Sequence, residues 1–100
     1  HLLPIDQGEL VSCYVTTDAD PRPLLKEAYA DEPFIELVDA PPGVRDVRDT
    51  NLCRIWADVD KRTGKAYVFA AIDNLWKGTA SQAIQNLNLM LGLPETEGLL

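Results

Sequence analysis

An apolar strand passes into a helix within residues 70–93, which read Ala-Ala-Ile-Asp-Asn-Leu-Trp-Lys-Gly-Thr-Ala-Ser-Gln-Ala-Ile-Gln-Asn-Leu-Asn-Leu-Met-Leu-Gly-Leu. Polar residues and a glycine lie at the join, namely Asp73, Asn74, Lys77 and Gly78. A strand that hands over directly to a helix predicts a fold in which helices pack against a sheet.

The helix is predicted from about Gly78 to Leu91, because apolar residues recur there at helical spacing. Gly92 suits a left-handed helix end, and Pro94 prevents continuation. One stripe is apolar and is expected to pack on the sheet: Ala80, Ala83, Ile84, Leu87 and Leu91. The other is polar and is expected to face solvent: Ser81, Gln82, Gln85 and Asn88.

Upstream patterns predict three further strands and one further helix. Alternating side chains indicate strands at residues 10–16 and 52–59, and residue types that suit a sheet, after Pro33, indicate one at residues 33–38. The strand at residues 52–59 pairs with residues 65–72 across the turn at residues 60–64 as an antiparallel hairpin. Asp20 and Pro21 suit the cap and first position of a helix that ends near Ala30. The order β-α-β-β-β-α predicts an α+β fold, with a mixed or antiparallel sheet and helices on one face.

The strand at residues 65–72 is apolar on both faces, which predicts cover from a helix on one side and from another layer, such as a second subunit, on the other. Aromatic residues collect on one of these faces, namely Tyr14, Trp56, Tyr67 and Phe69. Aromatic side chains are enriched at protein interfaces. The pattern therefore favours association with another subunit.

Composition limits the classes of function. One hundred residues predict a single domain over residues 1–100, and the absence of an initial methionine suggests either part of a longer protein or a processed chain. Sixteen acidic and nine basic residues give a net charge of -7, the wrong sign for binding nucleic acid. Apolar runs are too short to span a membrane, so no membrane partner is expected.

Cysteine and histidine are too sparse for metal or disulfide chemistry. Cys13 and Cys53 are isolated, and His1 is the only histidine. We therefore expect no metal site and a cytoplasmic location. Both thiols are expected to lie in the core, since free cysteine is commonly buried.

The polar join allows two interpretations. Unpaired N–H groups at a helix start, with Lys77 adding charge and Gly78 permitting close approach, would favour an anionic ligand. Alternatively, Asp73 or Asn74 caps the helix and Lys77 is solvated. Spacing alone leaves both interpretations open.

Residues 70–96 resemble the C-terminal signature of the N-acetyl-gamma-glutamyl-phosphate reductase family. Four further stretches agree with the family in order: His1-Leu-Leu-Pro4, Tyr29-Ala-Asp-Glu-Pro-Phe34, Asn51-Leu-Cys53 and Asp60-Lys-Arg-Thr-Gly64. The resemblance implies a larger two-domain dehydrogenase that reduces N-acetylglutamyl phosphate to the semialdehyde in arginine biosynthesis. Its N-terminal Rossmann domain would bind NADP, and this chain would supply subunit contacts in a homo-oligomer, a dimer or tetramer.

The resemblance also implies which residues approach the cofactor. In the family the Asp-Asn-Leu-x-Lys-Gly segment nears the nicotinamide, so Asn74 is expected to contact its carboxamide and Lys77 and Gly78 to line the site. The family's nucleophile lies in Asn-Pro-Gly-Cys and its acid/base in His-x-His-x-Pro-Glu-Ile, and neither motif is present. We therefore expect no catalytic residue in this chain and no activity from it alone.

One departure from the family leaves the substrate open. The family usually reads Pro-Met-x-Arg-Gly-Ile where this chain reads Pro4-Ile-Asp-Gln-Gly-Glu-Leu10. The usual arginine could hold an anionic substrate, or it could be structural. A different acyl phosphate, carrier-bound aminoadipyl or aspartyl, is one alternative, and a non-catalytic association module is another. Aspartate-semialdehyde dehydrogenase shares the junction but fits residues 85–96 less well.

Overall fold

Four strands and two α-helices make up the fold in the computed structural model, which describes residues 1–99. In chain order they are β1 (Glu9–Thr16), α1 (Pro21–Ala28), β2 (Ile35–Leu37), β3 (Cys53–Asp60), β4 (Lys65–Ile72) and α2 (Ser81–Leu91). A 3-10 turn at Val44–Asp46 precedes β3, and a π-helical turn at Trp76–Ala80 leads into α2. The predicted α+β fold and its element order are confirmed.

The strands form one mixed sheet in the order β1-β4-β3-β2. The central strand β4 is antiparallel to both β1 and β3, whereas the short edge strand β2 is parallel to β3. Gly64 closes the β3–β4 turn in the left-handed region at φ 66, and its N–H donates to Asp60 O at 2.9 Å. The predicted hairpin is therefore confirmed.

Helix α1 begins as its sequence predicts. The Asp20 side chain accepts a hydrogen bond from Arg22 N at 3.0 Å, and Pro21 occupies the first helical position, where no N–H donor is needed. The helix connects the parallel strands β1 and β2, and its Leu25 lines the same groove as Leu37 and Ile55.

The sheet face opposite Ile55 carries a row of aromatic rings across three strands. Tyr14 meets Tyr67 edge-on at a centroid distance of 5.5 Å, and Trp56 meets Phe69 at 5.2 Å. Tyr14, on the edge strand β1, still exposes 61% of its surface. Tyr14, Trp56, Tyr67 and Phe69 are called the aromatic face below.

Helix α2 is oriented opposite to the prediction. Its polar residues Ser81, Gln85 and Asn88 are buried, whereas Ile84 and Leu87 are 44% and 49% exposed. The reason is a set of hydrogen bonds from the polar side to the chain itself. Asn88 Nδ2 donates to the backbone oxygens of Glu95 and Glu97 at 3.2 and 2.9 Å. The expectation that the apolar stripe packs on the sheet was wrong.

The start of α2 also differs from the prediction. The chain winds through the π-helical turn first, so the α-helix begins at Ser81 rather than near Gly78. Its end is as predicted, with Gly92 in the left-handed conformation at φ 68.

Neither cysteine is a core residue. Cys13 is exposed because it lies on the edge strand β1, and Cys53 is half-buried. The expectation of two buried thiols was therefore wrong. Within residues 1–99, no helix combines the length and apolar character that crossing a membrane requires.

Candidate functional site

The carboxylate of Asp73 is the centre of the strand-to-helix junction. It is fully buried and accepts four hydrogen bonds from three parts of the chain. Oδ1 accepts from Leu75 N at 2.9 Å and Trp76 N at 3.1 Å, which caps the π-helical turn. Oδ2 accepts from Asp49 N at 2.7 Å and from the Gln7 side-chain amide.

These donors decide the ionisation of Asp73. Burial by itself would raise the pKa of Asp73, but the hydrogen bonds from Asp49, Gln7, Trp76 and Leu75 outweigh it and lower the pKa below its ordinary value. Asp73 is therefore a carboxylate at neutral pH, held almost entirely by neutral donors.

The oxygen and the nitrogen of the Asn74 side-chain amide differ in their contacts. Its Oδ1 accepts a hydrogen bond from Gly8 N at 2.7 Å. Asn74 is half-buried, and its side-chain amide nitrogen has no hydrogen-bond partner within residues 1–99. Because Gly8 fixes which end of the amide is the acceptor, Asn74 presents an oriented, unused N–H donor.

Lys77 turns toward the chain instead of joining Asn74. Its Nζ donates to Gln85 Oε1 at 2.7 Å and lies 5.4 Å from the centroid of the Phe34 ring. Burial lowers the pKa of Lys77, and electrostatic interactions with Cys53, Glu95 and Glu32 partly oppose this. The ammonium is thus part of the buried polar network under α2.

Gly78 packs closely against the junction. A Cβ at this position would lie 3.3 Å from Ile72 Cδ1 and 3.6 Å from Asn74 Cβ. The Gly78 N–H donates to Asp73 O at 3.1 Å. The N–H groups of Leu75 and Trp76 also donate to Asp73, as in the capping interpretation, but Lys77 is bonded to Gln85 and not solvated as that interpretation expected.

Sequence reasoning missed three residues that complete the junction: Gln7, Gly8 and Asp49. Gln7 Nε2 also donates to Asp49 Oδ1 at 3.0 Å, so its amide bridges two aspartates. Gly8 has φ 124, and Asp49 is a non-glycine residue with positive φ, at 58. The departure at Gln7 was visible in the sequence, but its link to Asp73, 66 residues away, was not.

The two thiols and the histidine take no part in the hydrogen bonds of this junction. Burial raises the pKa of Cys53, and the charge of Lys77 only partly opposes this, so the thiol form is favoured. The His1 ring hydrogen-bonds to Ser12 Oγ at 2.8 Å. Within residues 1–99, no group of three or more potential metal ligands comes together.

Comparison with known proteins gives one consistent result. The chain is 50% identical to N-acetyl-gamma-glutamyl-phosphate reductase of Jannaschia sp. and 46% identical to that of Paracoccus denitrificans, over 100% of its own length. It is 43% identical to the Dehalococcoides mccartyi protein of that name over 99% of its length. The chain spans about 30% of the length of each of these relatives.

Solved structures and a family match agree with the fold. Aspartate semialdehyde dehydrogenase II of Vibrio cholerae, complexed with ASA, superposes with a TM-score of 0.70 over 90% of this chain and 29% of its own, at 24% identity. Residues 1–74 match the family described as semialdehyde dehydrogenase, dimerisation domain. This match includes all four strands and ends at Asn74, before α2. The chain therefore belongs to the semialdehyde dehydrogenase dimerisation-domain family.

Proposed function

We propose that the chain is the C-terminal part of an NADP-dependent N-acetyl-gamma-glutamyl-phosphate reductase of arginine biosynthesis, working in the cytoplasm. The observation that carries the proposal is the 43–50% identity, along essentially the whole chain, to relatives of that name. The full protein would reduce the acyl phosphate N-acetylglutamyl phosphate to N-acetylglutamate semialdehyde.

The outward stripe of α2 supports the proposal that this chain works within a longer one. This helix lies beyond the residues that match the dimerisation domain, and the relatives are more than three times as long as the chain. Ile84, Leu87 and Leu91 expose 44%, 49% and 64% of their surfaces. In the full protein this stripe would pack on the remaining part of the subunit.

The cofactor proposal rests on Asn74. An amide donor whose orientation is fixed by Gly8 fits a carboxamide oxygen, such as that of nicotinamide. The cofactor, held mainly by the other domain, would supply the hydride as NADPH when the acyl phosphate is reduced and would accept it as NADP in the reverse oxidation. Lys77 and Gly78 would line the site without hydrogen-bonding to the cofactor through the Lys77 ammonium or the Gly78 N–H, because these groups donate to Gln85 and Asp73.

The catalytic nucleophile is proposed to come from the other part of the full protein. Cys13 is exposed on an edge strand, and Cys53 has a raised pKa, whereas a nucleophilic cysteine needs a stabilised thiolate. The 100-residue chain alone is therefore expected to give no turnover.

The activity is tested in the full-length gene product. We expect phosphate- and NADP-dependent oxidation of N-acetylglutamate semialdehyde, with at least tenfold lower kcat/KM for aspartate semialdehyde. The 100-residue chain serves as the matched negative control. A preference for aspartate semialdehyde, or no oxidation of either aldehyde, would reject the proposed substrate.

We also propose that the aromatic face pairs two subunits, a role that the association-module alternative would share. The family is a dimerisation domain, and its matched residues include all four aromatic residues. Edge strand β1 continues this face with the most exposed ring, Tyr14, at 61%. Tyrosine and tryptophan are the residue types that dominate the binding energy of interfaces.

Tyr14→Asp is expected to weaken the self-association of the subunits by at least about tenfold. The substitution places a charge where the tyrosine ring would be desolvated in the interface. Sedimentation equilibrium measures the dissociation constant. Val11→Asp is the matched control, since Val11 lies on the same strand, faces the other way and is 46% exposed. Equal weakening in both variants would show that the aromatic face is not the pairing surface.

A further inference from the structure

The segment before β1 holds the junction at two adjacent points. The Gln7 side chain donates to Asp73, and the next residue, Gly8, donates its backbone N–H to Asn74 Oδ1 at 2.7 Å. The two acceptors are themselves adjacent in sequence. The adjacent residues Gln7 and Gly8 are therefore hydrogen-bonded to the adjacent residues Asp73 and Asn74, so the positions of the two segments are coupled.

The chemistry at Gln7 is that of a neutral donor between two carboxylates. Its Nε2 donates to Oδ2 of Asp73 and, at 3.0 Å, to Oδ1 of Asp49. Asp49 in turn donates its backbone N–H to Asp73 Oδ2 at 2.7 Å. The three residues close a ring of hydrogen bonds at Asp73 Oδ2, and Gln7 is the only side-chain donor in that ring.

The direction of the Gln7 side chain determines whether it can contact a substrate. The Nε2 group faces Asp73 and Asp49, and a larger basic side chain placed there would meet the same two carboxylates. A side chain engaged in this way is not available to hold an anionic substrate. Gln7 can therefore affect the binding of a ligand only indirectly, through the positions of the residues to which it is bonded.

We propose that Gln7 is the positioning residue for Asn74. By tying the segment before β1 to Asp73, its amide keeps Gly8 N–H on Asn74 Oδ1, and so keeps the Asn74 amide nitrogen turned toward the ligand. The inference rests on the proposed function, because the ligand in question is the carboxamide of NADP. It assigns Gln7 to cofactor affinity and removes it from substrate recognition.

The test is a double-mutant cycle in the full-length gene product, with NADP affinity measured by calorimetry. Gln7→Leu removes the donor, with a side chain one atom shorter, and is expected to weaken NADP binding about tenfold, the size of one lost hydrogen bond. In an Asn74→Ala background the same change should have less than a twofold effect, because the group that Gln7 positions is gone.

Two further variants sharpen the test. Gln7→Arg keeps donors to both carboxylates and should retain NADP affinity within about threefold. Asp6→Ala is the matched control, since Asp6 precedes Gln7, is exposed and makes no hydrogen bond within residues 1–99. Should Gln7→Leu fail to fold, Gln7→Asn repeats the cycle with an amide one methylene shorter.

The outcomes separate the inference from the function on which it rests. Equal losses from Gln7→Leu with and without Asn74 would show a merely structural role and overturn the inference alone. A rise in KM for the acyl phosphate without a change in NADP affinity would also overturn it, by making Gln7 a substrate residue. If the unaltered protein does not bind NADP, the proposed function fails and the inference fails with it.

Discussion

Replacing Asp73 by alanine is expected to lower the free energy of unfolding by roughly 3–5 kcal/mol, the upper range for a single substitution. The carboxylate is fully buried, and four donors converge on it from three parts of the chain. Alanine leaves the N–H groups of Asp49, Leu75 and Trp76 without this acceptor, whereas the Gln7 amide keeps its bond to Asp49 Oδ1. An unsatisfied buried donor costs about 1–3 kcal/mol before the structure relaxes. Urea unfolding followed by circular dichroism measures the loss.

The control is Asp31→Ala, because Asp31 is exposed and makes no hydrogen bond within residues 1–99. It should change stability by less than about 0.5 kcal/mol. Asp73→Asn should lie between the two, since the amide keeps one acceptor oxygen and turns a donor toward the converging N–H groups. A loss below about 1 kcal/mol for Asp73→Ala would contradict the assigned role.

The same carboxylate sets part of the pH dependence. Because folding lowers the pKa of Asp73, its ionised form stabilises the fold above the ordinary aspartate pKa of about 4, and this contribution disappears as pH falls through the lower folded value. The stability gap between the unaltered chain and Asp73→Asn should therefore narrow between pH 5 and pH 2. The pKa values of Asp20 and Asp60 are also lowered, but they act equally in both chains.

Gly8→Ala is expected to lower the free energy of unfolding by about 3 kcal/mol, from backbone strain and steric overlap together. Gly8 has φ 124, and a Cβ there would lie 2.8 Å from Val44 Cβ and 3.1 Å from Val44 Cγ1. A Cβ atom is fixed to the backbone, so no rotamer change at Val44 relieves the closest contact. Urea unfolding again gives the magnitude.

Gly64→Ala separates strain from overlap. Gly64 also has positive φ, at 66, but a Cβ there would meet no atom within 4 Å. Its loss should be close to the 1 kcal/mol typical of strain alone. Equal losses at the two glycines would show that the contact with Val44 contributes nothing, and the Asn74 amide signal in NMR should move only in Gly8→Ala.

The sheet and α1 could be predicted because their signals are local. Alternation along residues 52–59 and 65–72, and the Asp20-Pro21 start of α1, each depend on residues within one element. The capping role of Asp73 was similarly foreseeable, because its Leu75 and Trp76 donors lie two and three residues away.

The orientation of α2 and the remaining contacts around Asp73 depend on residues that are far apart in the sequence, and they could not be predicted from it. Periodicity divides α2 into two stripes, but it does not say which stripe meets the chain's own body. The polar stripe is inside because the buried Gln85 side chain accepts hydrogen bonds from Asn51 and Lys77 and donates one to Glu95. The bonds of Gln7 and Asp49 to Asp73 likewise span 66 and 24 residues and leave no periodic trace in the sequence.

The outward apolar stripe of α2 has a colloidal consequence for the 100-residue chain. The exposed apolar surface extends to the end of the helix, where Leu89, Met90 and Leu91 are 56%, 81% and 64% exposed. Molecules in solution can therefore associate through this apolar surface. At low ionic strength the net charge of -7 keeps them apart by mutual repulsion. Added salt shortens the range of that repulsion from roughly 30 Å at 0.01 M to about 3 Å at 1 M, so concentrated solutions of this chain should turn cloudy as salt increases.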